Sequence, residues 1–316
     1  WSSPCTCRSS RWPRSSEGRR DREAPGLTPA DLLNTPLLIA GVFVFGLLIG
    51  SFLNVVILRV PAKLEYEWRC QCEELLDIEP NAPDQAPPPG IVFPPSACPH
   101  CGHRLRAWEN IPVLSFLVLR GRCSGCSNKI GIRYPLVEIL TGAAFALVVW
   151  QLGPGIAGLA GLVLTSFLIA LAGIDFDQQL LPDDLCLPLL WLGLLLSLAG
   201  VFTTTRDAVI GAAAGYLLLW GVFHVFRLLT GKIGMGHGDF KLMAALGAWF
   251  GWQSLPLIVV MASGTGAVLG LALLALDRTR AGRPVPFGPF IALAGFVYLL
   301  AGEQITATYL AFSGLG

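Results

Sequence analysis

Charge is the scarcest property of this sequence. Asp, Glu, Lys and Arg make up 14% of its 316 residues and hydrophobic residues 53%, whereas ordinary soluble domains are roughly 25% charged. With a mean hydropathy of +0.62, this excludes a soluble globular class and implies an all-α polytopic membrane protein. The net charge of +1 lacks the basic footprint that nucleic-acid binding leaves, so no nucleic-acid partner is expected. Several chemical signatures are missing too. There is no G-x-S-x-G for a serine hydrolase and no H-E-x-x-H for a zinc protease. The related halves with broken helices that mark many transporters are missing as well. Any catalysis therefore falls to a few individual residues.

What is present is a series of apolar runs near 36–58, 135–152, 155–174, 184–201, 207–229, 239–251, 254–276 and 287–302. About 20 apolar residues cross a bilayer, so about eight transmembrane helices are expected, one of them short. The first run leads into Arg59 without a small-residue cleavage site and reads as a retained span, not a secretory signal. Lysine and arginine in the short connections set orientation. Residues 59–133, the 174–184 connection, Lys232 and the cluster Arg278, Arg280 and Arg283 fall on the inner side. Residues 1–35 are expected to form a disordered tail. Its first 26 residues hold six arginines on the outer side, against the rule, and no function is read into them. The expected organisation is a first transmembrane helix over 36–60, a cytosolic loop over 61–133 and a seven-helix core over 134–316.

The loop divides by composition. Glu65 to Gly90 is acidic and proline-rich and suits an extended linker. Beyond it, Cys98, Cys101, Cys123 and Cys126 form two C-x-x-C knuckles 21 residues apart. Four thiolates at that spacing make a tetrahedral structural zinc site. A redox pair using "CPHC" alone would explain only half of them. His100 and His103, beside the first knuckle, read as solvated surface residues. Cys70 and Cys72, and also Cys5, Cys7 and Cys186, show no partner pattern.

Ionisable residues in or at the edge of a membrane segment are costly and mark function. Asp175, Asp177, Asp183 and Asp184 lie in "GIDFDQQLLPDDLCLPLL", and Asp239 follows three glycines in "GMGHGDF". All five fall on one side of the membrane. Helix capping competes as an explanation, because Asp183, Asp184 and Asp239 each begin an apolar run. Gly234, Gly236 and Gly238 leave the backbone around Asp239 bare and open to close approach. Two aspartates brought together share one proton: one activates a water while the other donates to a scissile carbonyl. Intramembrane aspartates also serve as proton relays, so a proton-coupled transporter is the alternative. Lys241 reads as an interfacial cation and His237 as a local polar residue.

The motifs "GSFLNVVILRVP" (50–61), the two knuckles followed by "RYPLVEIL", "DFDQQLLPDDLCLPLLWLGL" (175–194), "GMGHGDFKL" (234–242) and "PFGPF" (286–290) resemble those of the type IV prepilin peptidases. These are bifunctional leader peptidases and N-methyltransferases of type IV pilus and type II secretion systems. The resemblance covers roughly residues 36–311 and implies an eight-helix bundle in the bacterial inner membrane, with the cytosolic loop after the first helix. Gly236-His237-Gly238-Asp239 matches the family's GxGD signature, shared with presenilin-type intramembrane proteases. By that match Asp239 is one catalytic aspartate and Asp175 corresponds to the other, with Asp177 and Asp183 as near alternatives. The implied reaction is removal of a basic leader from prepilins and pseudopilins at the cytoplasmic face, followed by methylation of the new amino terminus with S-adenosylmethionine. The methyl-donor site is unassigned; Asn54, Arg59 and the zinc loop are the places to look.

Overall fold

Within hydrocarbon each backbone N–H and C=O must be satisfied inside its own segment, which makes a helix the form for a long apolar run. The protein follows that rule in a computed structural model describing residues 29–77, 87–98, 100–232, 235–276 and 286–313. The helices are α1 (Pro29–Leu75), α2 (Leu114–Val118), α3 (Arg133–Leu152), α4 (Ile156–Gln178), α5 (Asp183–Leu198), α6 (Thr205–Thr230), α7 (His237–Phe250), α8 (Leu255–Leu276) and α9 (Gly288–Ser313). All eight apolar runs are helical, and the described residues contain no β-strand, only two isolated bridges in the loop. The chain divides into two units, residues 1–38 and 39–316. In the first, the described residues belong to the start of α1. The second holds the remainder of α1 and all of α2 to α9.

Five helices, α1, α3, α4, α6 and α8, are long and apolar enough to cross a membrane. Two of the other apolar helices, α5 and α7, fall short. At 1.5 Å per residue, the 16 residues of α5 span about 24 Å and the 14 of α7 about 21 Å, against about 30 Å of hydrocarbon. Helix α9 is 26 residues long, and its described residues include the apolar stretch Gly288–Gly302. Large side chains stay exposed on the outer helices, among them Leu217, Val225, Val260, Val268 and Leu271, a surface suited to lipid and not to water.

Two differences from the expected loop and tail concern α1. It begins at Pro29, inside the stretch expected to be a tail, and it runs on to Leu75, through much of the expected linker. The helix from Pro36 onward alone covers 40 residues, about 60 Å, so its distal part extends beyond any bilayer. Residues 62–75 are rich in helix formers and contain no glycine or proline, and Lys63 pairs with Glu67 one turn on at 3.4 Å. Local propensity there outweighed acidic composition. Residues 1–28 lie outside the described residues.

The connections put the ends of the helices at two faces. At one, Arg133 opening α3 pairs with Asp177 closing α4, and Lys241 in α7 pairs with Asp183 opening α5. At the other, Trp252 after α7 donates from Nε1 to Asp207 opening α6, at 3.1 Å. The centre is α7, whose residues from Asp239 to Phe250 are buried apart from a half-buried Lys241. It packs on α5, α6, α8 and α9. A helix apolar on all sides belongs inside other protein. α6 meets it backbone to backbone: a Cβ on Gly211 would overlap the Gly247 carbonyl, one on Gly247 would overlap that of Gly211, and one on Gly215 would sit 2.6 Å from the Met243 oxygen. Trp249 donates from Nε1 to the Leu189 carbonyl of α5 at 2.8 Å.

Gly211→Val should therefore force α6 off α7 and cost roughly 1–3 kcal/mol or more, whereas Gly221→Ala, with no atom within 4 Å of the new Cβ, should be tolerated. Thermal unfolding in detergent measures both; equal midpoints would refute the packing account.

Candidate active site and metal centre

Asp175 lies one turn from the end of α4 and Asp239 in the first turn of α7; each is only 5% exposed. The two interact electrostatically. The Asp175 Oδ2 accepts the backbone N–H of Gly288 at 2.9 Å. That donor is free because the first N–H groups of a helix lack intrahelical partners, and Gly288 opens α9. The Asp239 carboxylate faces the backbone N–H of Gly236, the N-cap of α7. Leu181, in the turn between α4 and α5, closes the arrangement. A Cβ on Gly238 would lie 2.6 Å from Leu181 Cβ, and one on Gly288 would lie 3.2 Å from Leu181 Cδ1 and 2.6 Å from Asp175 Oδ2. Four segments thus meet where only glycine fits at two of the contacts.

The neighbouring aspartates differ from this pair. Asp177 pairs with Arg133, and Asp183 pairs with the Lys241 ammonium at 2.5 Å. Asp177, Asp183 and Asp184 are exposed. Asp183 and Asp184 occupy the first turn of α5 and make no side-chain cap, the N-cap being Pro182. Among the described residues no Lys or Arg forms an ion pair with Asp175 or Asp239. His237 packs against Phe223 and Phe240, with ring centroids 5.3 and 5.4 Å apart, and Cys186 is buried in α5. Residue 234 lies outside the described residues.

In the loop, the four cysteine sulfurs lie within 4.8 Å of one another, and all four are free thiols. The Cys98–Cys126 and Cys101–Cys123 sulfur separations are 3.8 and 3.9 Å. Four sulfurs at about 2.3 Å from a tetrahedral zinc lie about 3.8 Å apart, so the cluster fits that ion. The knuckles are copies of one hairpin. Cys98 N–H donates to His103 O and Gly102 N–H to Cys98 O; 25 residues on, Cys123 N–H donates to Asn128 O and Ser127 N–H to Cys123 O. Backbone N–H groups of Cys101 and His100 draw the Cys98 thiol down to about 7, toward the thiolate a metal takes.

His103 is no solvated bystander, contrary to the expectation from sequence. Its Nε2 lies 3.2 Å from Glu109 Oε2 and 3.1 Å from Ser124 Oγ, and Ser124 donates to Glu109 Oε1 at 2.5 Å. This ties one knuckle to the other. The Arg106 N–H, then Ser124 and His103, hold the Glu109 carboxyl down at about 2. Glu138 of α3, 7% exposed, accepts the Val113 N–H at 2.7 Å and docks the loop on the bundle. Asn54 donates to the Gly50 and Tyr134 carbonyls at 3.3 and 3.1 Å, and Arg59 to those of Gly90 and Pro94 at 2.6 and 2.9 Å. Sequence reasoning assigned no role to Glu138, Gly288 or Leu181. The one signal available was "PFGPF", whose two prolines can donate no backbone hydrogen bond and leave Gly288 able to.

Comparison with known proteins matches residues 44–152 to the bacterial peptidase A24 N-terminal domain and residues 162–271 to the type IV leader peptidase family. The chain belongs to the type IV leader peptidase family. Among its curated relatives is a "Prepilin leader peptidase/N-methyltransferase" of Stutzerimonas stutzeri, 50% identical, with 92% of this chain and 100% of the relative covered. Proteins of the same name from Aeromonas hydrophila and Pseudomonas aeruginosa are each 53% identical over 85% of this chain and 92% of their own length. No solved structure matches the chain. The family's N-terminal domain match takes in all four cysteines and Glu138, and the leader peptidase match takes in Asp175 and Asp239.

Metal analysis of the purified protein should return about one zinc per chain, with loss in Cys98→Ser and Cys123→Ser. Chelation should make residues 97–130 protease-sensitive, since a zinc hairpin without its metal does not stay folded. Metal-free protein with undiminished protease resistance would count against the site.

Proposed function

We propose that this chain removes the leader from type IV prepilins and pseudopilins at the cytoplasmic face of the bacterial inner membrane, then methylates the new amino terminus with S-adenosylmethionine. Asp175 and Asp239 form the cleaving dyad. The observation that carries this assignment is the contrast among the aspartates: two buried carboxylates from α4 and α7 interact with each other, while Asp177 and Asp183 are held by Arg133 and Lys241. In the dyad one carboxylate takes a proton from water and the other gives one to the scissile carbonyl oxygen. The Gly288 N–H fixes Asp175 for that exchange.

The substrate explains the location. A prepilin is itself anchored by an apolar helix, with its leader in the cytosol, so its cut site reaches the bundle where water is available. In this reading residues 36–60 are the first span, 61–133 the cytosolic part with its four-cysteine zinc site, and 134–316 the peptidase core. The short helices α5 and α7 complete an eight-helix bundle, enclosed by their longer neighbours. The lysine and arginine distribution supports the cytosolic orientation.

Asp175→Asn and Asp239→Asn should each lower cleavage of a purified prepilin by about 10²–10⁴-fold, with Asp177→Asn and Asp183→Asn remaining within a few fold of wild type. Gly288→Ala should also impair cleavage, because its Cβ would displace Asp175 Oδ2. Rapid cleavage by folded Asp239→Asn would overturn the dyad.

A further inference from the structure

Away from the carboxylate pair, α1, α3 and the zinc loop enclose a cavity of about 590 Å³, within the range of small-molecule sites. Its walls include Ser51, Asn54 and Arg59 of α1, Tyr134 and Glu138 of α3, and Glu109 of the loop. Two of its polar groups are committed elsewhere. Glu109 is engaged by Arg106, Ser124 and His103, and Arg59 donates to two loop carbonyls. Glu138 is different. Its partners are the Val113 N–H and the Ser51 side chain, and no Lys or Arg among the described residues forms an ion pair with it. A buried carboxylate without a cation is costly unless something compensates for it.

The cavity also lies at the face that holds Asp175. Tyr134 follows Arg133, which pairs with Asp177 two residues beyond Asp175. A peptide cut at the dyad and still anchored by its helix would present its new amine at this same face. We infer that the cavity between α1, α3 and the zinc loop binds S-adenosylmethionine, with the Glu138 carboxylate facing the ligand's positive charge. The inference rests on the proposed function. The lone pair of the product amine forms the new N–CH3 bond as the S–CH3 bond breaks. Sulfur keeps the bonding pair, neutral S-adenosylhomocysteine leaves, and the surplus proton passes from the amine to water. Tyr134 supplies an aromatic wall for the adenine ring, and Lys129, which also lines the cavity, is a candidate partner for the ligand's carboxylate.

The test is direct binding to the full-length protein in detergent, by calorimetry or by photolabelling with radioactive S-adenosylmethionine, compared with S-adenosylhomocysteine, which lacks the sulfonium charge. Two variants are needed. Glu138→Gln should weaken S-adenosylmethionine binding about tenfold or more and S-adenosylhomocysteine binding less. Ser115→Trp, on the loop side of the cavity, should weaken both. Zinc content and thermal midpoint establish that each variant is folded. Wild-type affinity for S-adenosylmethionine in both folded variants would overturn the inference. So would unchanged ligand affinity with a raised KM for the prepilin, which would assign the cavity to the leader peptide instead. Failure of the wild type to cleave prepilin would instead refute the peptidase reading, whatever the binding result.

Discussion

The close approach of α6 to α7 is the contact on which the rest of the bundle depends. Where Gly211 faces Gly247, two backbones touch with no side chain between them, so dispersion contacts and not a water-driven effect hold them together. With α6 this near on one side and α5 fastened through Trp249 to Leu189 on another, α7 needs no lipid-facing surface. It is a short helix wrapped in protein. That lets its first turn carry a carboxylate which hydrocarbon would reject, and lets α5 hold the Leu181 turn against Gly238 and Gly288.

The loop is stabilised by other means. Its described residues form no sizeable apolar core of their own; most of their large apolar side chains, such as Val92, Phe93, Leu117 and Val118, are exposed. Two copies of one hairpin instead point four sulfurs at a single position, and the His103, Glu109 and Ser124 network joins the copies from the side. Its attachment to the bundle uses a few polar contacts: Glu138 with Val113, Asn54 with Tyr134, and Arg59 with the Gly90 and Pro94 carbonyls. The region is therefore held by directional bonds around a four-cysteine cluster that fits a metal, where the bundle is held by packing.

Much of this was legible in the sequence, for reasons that are local. Apolar runs long enough to see became helices, and the two cysteine knuckles needed only spacing. Asp239 stood out because glycines flank it. What stayed hidden depended on contacts distant along the chain. Asp175 cannot be told from Asp177 or Asp183 by pattern, since the distinction lies in Arg133 and Lys241 arriving from other helices. The part of Gly288 is equally invisible, because a backbone N–H leaves no trace in residue type. The extension of α1 departs from expectation for a different reason: acidic residues with prolines further on suggest a linker, while the stretch before those prolines is made of good helix formers.

The hydrogen bond between Gly288 and Asp175 joins residues 113 apart in the chain. During synthesis α4 enters the membrane long before α9 exists, and until α9 arrives Asp175 lacks the donor that fixes it. The carboxylate pair is thus completed by a late event in biogenesis. A partly inserted chain carries both acidic residues without the geometry that joins them, so the pair takes its final form only when the bundle around it has closed.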